Sequence, residues 1–188
     1  MQRTSIERYG AVSQVFHWLM AIIVLAAFLY GPGGSEQRVY SVAKDFDRRL
    51  HETLGVCVFV LVVLRLIWRT MAARPEPPQV ARWMGLAADA AHWGLYLLMF
   101  ALPLTAISGA WLEAHPLTLI GGTDIAPWLA QSHDLGKRLA TAHTWLGDAI
   151  MWLAGLHALA ALYHHVLLKD GVLLAMLPRW FPLRRRAG

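Results

Sequence analysis

AHTWLGDAIMWLAGLHALAALYHH, residues Ala142–His165, is an apolar run that carries two widely spaced histidines, His143 and His157. Fourteen residues separate the two histidines. This is just under four turns at ~3.6 residues per turn, so both imidazoles point from one face of a helix. At ~1.5 Å per residue the rings lie ~21 Å apart along the axis, too far apart to bind one metal ion. The spacing suits two haem irons stacked across a bilayer core of ~30 Å.

The composition predicts a single membrane domain over residues 1–188. Of the 188 residues, 57% are hydrophobic and 15% are charged, and nine are tryptophans, which gather at membrane interfaces. The only cysteine, Cys57, lies in an apolar run, which excludes a disulfide framework and an iron–sulfur cluster held by cysteines. The net charge of +5 comes mostly from basic residues that flank apolar runs, so it predicts membrane anchoring and no nucleic-acid partner.

Four apolar segments predict an all-α membrane bundle of four helices. The predicted spans are residues 12–30, 51–68, 83–111 and 137–169. Gly31-Pro32-Gly33-Gly34 ends the first span, and Pro103 predicts a kink in the third. The connecting segments are a charged outer loop at 35–50 that includes a short helical piece, a proline-containing linker at 71–82 with Pro75, Pro77 and Pro78, a long loop at 112–136 and a basic tail at 170–188.

Lysines and arginines divide unequally between the two sides of the predicted bundle. One side carries Arg3, Arg8, Arg65, Arg69, Arg74, Arg82, Lys169, Arg179, Arg184, Arg185 and Arg186. The other side carries Arg38, Lys44, Arg48, Arg49, Lys137 and Arg138. Because positive residues accumulate on the cytoplasmic side, this bias predicts a protein of the bacterial inner membrane with both termini in the cytoplasm.

Two further histidines supply a partner at each depth. His17 lies near the inner end of the first span, and His51 opens the second span at its outer end. Depth therefore pairs His51 with His143 and His17 with His157. A polar ring in hydrocarbon needs a partner, and two imidazoles on one iron satisfy both rings. Zinc is disfavoured because it takes about four ligands in one cluster, whereas hydrogen bonding within the bundle remains the alternative for any single histidine.

The other polar residues of the spans leave alternatives open. His92 also lies in the inner half, so depth alone does not choose between His92 and His17; a hydrogen bond to a neighbour or a haem edge is the favoured interpretation. Asp148 follows His143 by five residues, and a carboxylate in the membrane predicts either support of a ligand histidine or a hydrogen bond within the bundle. His115 and His133, in the long outer loop, are expected to be solvated.

The inner end of the bundle carries its own set of polar residues. His164 and His165, together with Lys169, predict either a quinone pocket with proton delivery or a group of interfacial polar residues. Arg65 and Arg69 lie one turn apart, and both haem propionates and lipid phosphates suit them as partners. Snorkelling to the interface is the favoured interpretation for Arg69.

The histidines belong to a set of short motifs that resembles the bacterial cytochrome b561 family over nearly the whole chain. The motifs are His17-Trp18, His51 with Leu54-Gly55, Ala91-His92-Trp93-Gly94-Leu95-Tyr96 with Ala101-Leu102-Pro103, Ala142-His143 with Leu146-Gly147, Gly155-Leu156-His157-Ala158, His164-His165, Lys169-Asp170, Leu173-Leu174 and Met176-Leu177-Pro178. In this order and at these spacings the set is fairly specific.

The resemblance implies a four-helix membrane bundle with two b haems. It implies that His17 and His157 hold the inner iron and that His51 and His143 hold the outer iron. The superoxide-oxidising members of the family pass electrons from periplasmic superoxide to ubiquinone, and the same activity is expected here. Iron with two imidazoles has no free position, which favours outer-sphere electron transfer. No catalytic residue is assigned.

Three basic residues flank the outer level and predict contacts with an anion or with haem propionates. They are Arg48, Lys137 and Arg138. Such a cluster raises the local concentration of a small anion, although neighbouring aspartates weaken the effect.

Two other classes of function remain open. The first is a haem-carrying anchor subunit that links a periplasmic dehydrogenase or hydrogenase to quinone, and it predicts a protein partner. The second is a non-redox transporter or sensor whose histidines relay protons.

Overall fold

A computed structural model describes residues 8–33, 35–73, 75–76 and 80–178. Some residues in the predictions above lie outside the described residues. They are Arg3, Arg74, Arg179, Arg184, Arg185 and Arg186 of the predicted inner side, Gly34 of the first turn, and Pro77 and Pro78 of the linker.

Four long helices dominate the described part of the chain. They are α1 (Ala11–Tyr30), α3 (Asp45–Met71), α4 (Arg82–Leu112) and α5 (His133–Tyr163), with the short α2 (Glu36–Val39) and a 3₁₀ turn at Val42–Lys44 between α1 and α3. All four are long and apolar enough to cross a membrane. The prediction of an all-α membrane bundle is therefore confirmed, and the first and third predicted spans agree with α1 and α4 to within one residue at each end.

The second predicted span was wrong at its start, because α3 begins at Asp45 and not at residue 51. Asp45 and Asp47 occupy the first turn, where the helix dipole favours negative charge. Arg48 then pairs with Asp45 and with Glu52 at helical spacing, which stabilises this polar extension. Hydropathy marks only the apolar part of a helix, so it missed these residues. His51 consequently lies nearly two turns inside α3.

The fourth predicted span, 137–169, was wrong at its start, but its end agrees to within one residue with the helical segment His133–Leu168. α5 begins at His133, and its α-helical part ends at Tyr163, after which His164–Leu168 form a π-helical turn. Lys169 adopts a left-handed conformation with φ 53°, which ends the helix. A π-helical turn is rare and frequently marks a functional position.

The predicted loop at 112–136 contains a hairpin that the sequence did not reveal. Strand β1 (Leu117–Thr118) pairs antiparallel with β2 (Asp124–Ile125), with Leu117 opposite Ile125. The hairpin packs on the outer end of α3, because Glu52 accepts a hydrogen bond from the Thr118 amide and Thr53 Oγ1 accepts one from the Ile120 amide.

The long helices pack as two pairs, α1 with α3 and α4 with α5, and α3 also contacts α4. Met20, Val62 and Tyr96 form a buried cluster that joins α1, α3 and α4. Gly136 allows α5 to approach the end of α4 closely, since a Cβ atom at this position would lie 2.5 Å from Glu113 Oε1. In this arrangement His17 on α1 and His51 on α3 lie opposite the two histidines of α5.

The last described segment closes the inner end of the bundle. The short helix α6 (Val172–Ala175) lies against the start of α1. Gln14 Nε2 donates to the carbonyl oxygens of Ala175 and Leu177, and Trp18 Nε1 donates to that of Met176.

Candidate functional site

The outer pair of histidines meets across two helices. The ring centres of His51 on α3 and His143 on α5 lie 5.8 Å apart, with the rings nearly perpendicular. His51 Nδ1 lies 2.7 Å from the Ala27 carbonyl oxygen, and His143 Nδ1 lies 3.0 Å from that of Leu102. A carbonyl oxygen only accepts, so each Nδ1 carries the hydrogen and donates it. Each Nε2 therefore keeps its lone pair for a metal.

The inner level brings together three histidines. The ring centres of His17 on α1 and His157 on α5 lie 6.3 Å apart. The ring centre of His92, on α4, lies 5.4 Å from that of His157. The structure therefore brings His17 and His157 together, as depth predicted, and it places His92 beside them.

The pair separations fit two imidazoles on one iron. A metal–nitrogen bond of about 2 Å on each side, plus roughly 1 Å from each nitrogen to its ring centre, gives roughly 6 Å between ring centres. The measured 5.8 Å and 6.3 Å agree with this value. No group of three or more histidine, cysteine and acidic side chains that would form a clustered metal site occurs in the described residues, so zinc gains no support.

Two glycines leave room beside the outer pair. Gly55 and Gly147 each follow an outer histidine by four residues, which places them one turn along the same helix face. A Cβ atom at either position would meet nothing within 4 Å. A haem held by His51 and His143 would need such space beside them. In the sequence both glycines stand out only as parts of motifs, and the open space beside them indicates their role.

Arg48 is held by carboxylates at the outer rim. Its side chain is only 10% exposed, and it pairs with Asp45 at 2.7 Å and with Glu52 at 2.9 Å. Its Nε is buried without a hydrogen-bond partner in the described residues. The two carboxylates offset the charge predicted to attract anions, whereas the remaining N–H suits an acceptor such as a propionate. Lys137 and Arg138 are exposed in the first turns of α5.

His133 is 55% exposed, in agreement with a solvated loop residue, whereas His115 is only 28% exposed, and both have acidic partners. His115 Nε2 lies 2.8 Å from Glu36 Oε1, and its ring stacks on Tyr40 with centres 3.8 Å apart. His133 Nδ1 lies 2.6 Å from Glu113 Oε2. The hydrogen bond from His115 holds the pKa of Glu36 below its usual value.

Tyr40 lies between the His115 ring and Arg48, whose Cζ is 5.1 Å from the Tyr40 ring centre. Burial raises its pKa to about 12. The stacked rings and the Glu36 pair join the segment before α3 to the loop after α4.

The predicted inner quinone residues differ in their surroundings. His164 Nδ1 is hydrogen bonded to Asp170, and the other oxygen of Asp170 accepts from the Val172 amide at 3.1 Å. His165 is half-buried, and the Lys169 side chain is exposed. The left-handed residues Lys169 and Gly171 turn the chain so that Asp170 folds back onto His164.

Arg65 and Arg69 both stack on one tyrosine. The Cζ atom of each lies 5.5 Å from the Tyr96 ring centre. Arg65 Nη1 also lies 3.8 Å from Met20 Sδ, one turn along α1 from His17. Arg65 therefore stands in the bundle at the inner histidine level.

The sequence pattern described as "Prokaryotic cytochrome b561" matches residues 8–179 of this chain. The chain belongs to the prokaryotic cytochrome b561 family. Over 172 residues it is 33% identical to "Cytochrome b561 homolog 2" of Escherichia coli (strain K12), covering 91% of this chain and 92% of the relative. Over 179 residues it is 31% identical to "Probable superoxide oxidase CybB" of Yersinia pestis, covering 92% and 97% of the two chains.

Membership of this family makes the chain a membrane electron-transfer protein, and it implies binding of haem b. The four apolar helices agree with a bacterial membrane protein. The donor set fits the cofactor, because imidazoles from separate helices meet in pairs, with open space beside the outer pair.

Asp148 does not lie in the position expected of a buried carboxylate in this cytochrome. It is exposed, on the same side of α5 as Trp145 and Trp152, which are 71% and 77% exposed. Asp148 follows His143 by five residues, about 1.4 turns at ~3.6 residues per turn, so the two side chains point about 140° apart around α5. The structure therefore does not support contact between Asp148 and His143, whose Nδ1 is bonded to the Leu102 carbonyl.

Proposed function

We propose that this cytochrome holds two b haems, one bound by His51 and His143 and the other by His17 and His157. The observation that carries the proposal is the pair of ring separations, 5.8 Å and 6.3 Å, between helices that the sequence keeps far apart. When bound, each haem supplies one-electron chemistry. The protein would supply two histidine nitrogens to each haem, a ligand set that favours outer-sphere electron transfer.

The proposed donor is superoxide at the periplasmic face, and the proposed acceptor is ubiquinone near the cytoplasmic side. Two superoxide anions each lose one electron and leave as O₂, and ubiquinone takes the two electrons and two protons to become ubiquinol. The similarity to a relative named as a probable superoxide oxidase supports the donor. Lys137 and Arg138 support it too, because they are exposed at the outer end of α5, where they attract anions.

His164, His165 and Lys169 are the proposed quinone and proton residues at the inner end. The hydrogen bond from His164 to Asp170 supports this role, since it orients the imidazole and leaves Nε2 free for a quinone oxygen. The proposed orientation puts both termini in the cytoplasm. Arg8, Arg65, Arg69, Arg82 and Lys169 are the described basic residues of that side.

Haem content and spectra of single His→Ala variants at positions 17, 51, 143 and 157 test the ligand assignment. The parent is expected to carry two haems. H51A and H143A should lose the same haem, and H17A and H157A the other. H92A is the matched control, because its ring lies 5.4 Å from that of His157 but is not assigned to iron. A parent with one haem, or loss of a haem in H92A but not in H17A, would refute the assignment.

Stopped-flow mixing of the oxidised full chain with superoxide tests the donor. Rapid haem reduction followed by quinol formation is expected when ubiquinone is present. If the protein carries two intact haems and superoxide does not reduce them, superoxide is not the donor. Co-purification of a periplasmic dehydrogenase or hydrogenase would then favour the anchor-subunit hypothesis.

A further inference from the structure

The two histidine pairs have different surroundings. In the outer pair both Nδ1 atoms donate to backbone carbonyls, of Ala27 and Leu102. The Ala27 carbonyl is available because it lies in the last turn of α1, where carbonyls have no partner within the helix. In the part of the chain that the structure describes, neither His17 nor His157 makes such a bond.

The inner pair has a positive charge beside it instead. Arg65 is half-buried, where Tyr96 and Met20 contact its guanidinium. Met20 follows His17 by three residues on α1, and Tyr96 follows His92 by four on α4, so the guanidinium contacts residues one turn from two of the inner histidines. Arg69 stacks on the same Tyr96 ring at the same 5.5 Å, one turn further toward the end of α3.

Each of these features has a definite effect on an iron bound by the histidines. A hydrogen bond from Nδ1 to a carbonyl makes the imidazole a stronger donor, which stabilises the oxidised iron and lowers its potential. A nearby positive charge opposes the extra charge of oxidised iron and raises the potential, and the effect is strong where little water screens it. Both effects make the redox potential of an inner iron higher than that of an outer iron.

We propose that the charge of Arg65 raises the redox potential of the inner haem. The inner haem is then the higher-potential centre and the outer haem the lower-potential centre. An electron that enters at the outer level then moves downhill to the inner level, and the reverse transfer is uphill. This inference depends on the proposed two-haem function. It adds the order of the two potentials and the residue that sets that order.

Anaerobic redox titration of the haem absorption bands in the full chain tests the proposal. The H51A variant retains the inner haem and H17A retains the outer, so each midpoint potential is assigned separately. The inner midpoint is expected to be the more positive. R65Q should shift the inner midpoint to a more negative value and leave the outer one unchanged, and R65K should retain most of the parent value.

R69Q is the matched control, since Arg69 has the same stacking distance to Tyr96. It is expected to shift the inner midpoint less than R65Q does, because Arg69 lies one turn further toward the end of α3. An inner midpoint below the outer, or equal shifts in R65Q and R69Q, would overturn the proposal. If R65Q loses haem, the order of the parent midpoints and the R65K value decide the matter. A protein that binds two haems of equal potential refutes only this inference, whereas a colourless protein refutes the proposed function as well.

Discussion

Removal of Glu52 is expected to destabilise the outer end of this cytochrome by about 3 kcal/mol. Glu52 and Arg48 have side chains only 12% and 10% exposed, and their atoms lie 2.9 Å apart. Breaking a buried ion pair by deleting one partner costs about 3–5 kcal/mol, because the other charge stays buried. Asp45, which remains 2.7 Å from Arg48, offsets part of that cost. The lost hydrogen bond from the Thr118 amide, at 2.6 Å, adds about 1 kcal/mol.

Thermal unfolding of E52A in detergent measures this cost. At about 2–4 °C per kcal/mol for a chain of this size, a Tm lower by roughly 6–12 °C is expected. D47A is the matched control on the same helix, because Asp47 and Lys44 form an ion pair whose side chains are 29% and 36% exposed. An exposed pair of this kind contributes less than about 1 kcal/mol.

A double variant separates the pair from the charge that it leaves behind. Replacing Arg48 and Glu52 together, as R48M/E52L, removes both charges and is expected to recover part of the stability lost in E52A. Equal costs for E52A and D47A would show that burial does not strengthen the Arg48 pair. The buried Arg48–Glu52 pair would then contribute no more stability than the exposed Lys44–Asp47 pair.

Two further predictions concern space and charge. G147V fills the open space one turn from His143, so the haem-to-protein ratio is expected to fall from two to one, with the inner haem retained. G155V is the control: Gly155 also has open space around it but lies on the face of α5 opposite His157, so this variant should keep both haems. Loss of both haems in each variant would contradict the prediction. E36Q is expected to lower Tm at neutral pH, because the pKa of Glu36 is held below its usual value of 4.5 by His115. A carboxyl with a lowered folded pKa contributes stability above its unfolded pKa and loses it as the pH falls through the folded value, so the difference between E36Q and the parent should disappear at low pH. The same difference in an H115A background would show that the pair does not cause it.

The helical periodicity and the hydropathy of the chain were sufficient for the membrane class and the four helices, and for the depth of each histidine. Depth also grouped the rings by level, because a straight helix places residues at a known height, but it did not choose between His17 and His92 as the ring that meets His157. His17 and His157 come from opposite ends of the chain, yet the structure brings them together as expected. Their role as ligands remains a prediction.

Hydropathy failed where polar residues continue a helix. The first two turns of α3 are held by ion pairs and not by apolar burial, so the apolar pattern began too late. Asp148 was misjudged for a different reason, because its sequence distance from His143 was considered without the helix face on which it lies.

Local sequence was enough for the number and apolar extent of the helices and for the height of each imidazole, since these follow from spacing along one segment. Only packing of the segments against each other established the carbonyl partners of the outer histidines, the position of Arg65 beside the inner ones and the hydrogen bond between His164 and Asp170. The physical reason is that helix rotation and the path of the turns depend on contacts between distant parts of the chain. Those contacts have no signature in the spacing of residues along any one helix.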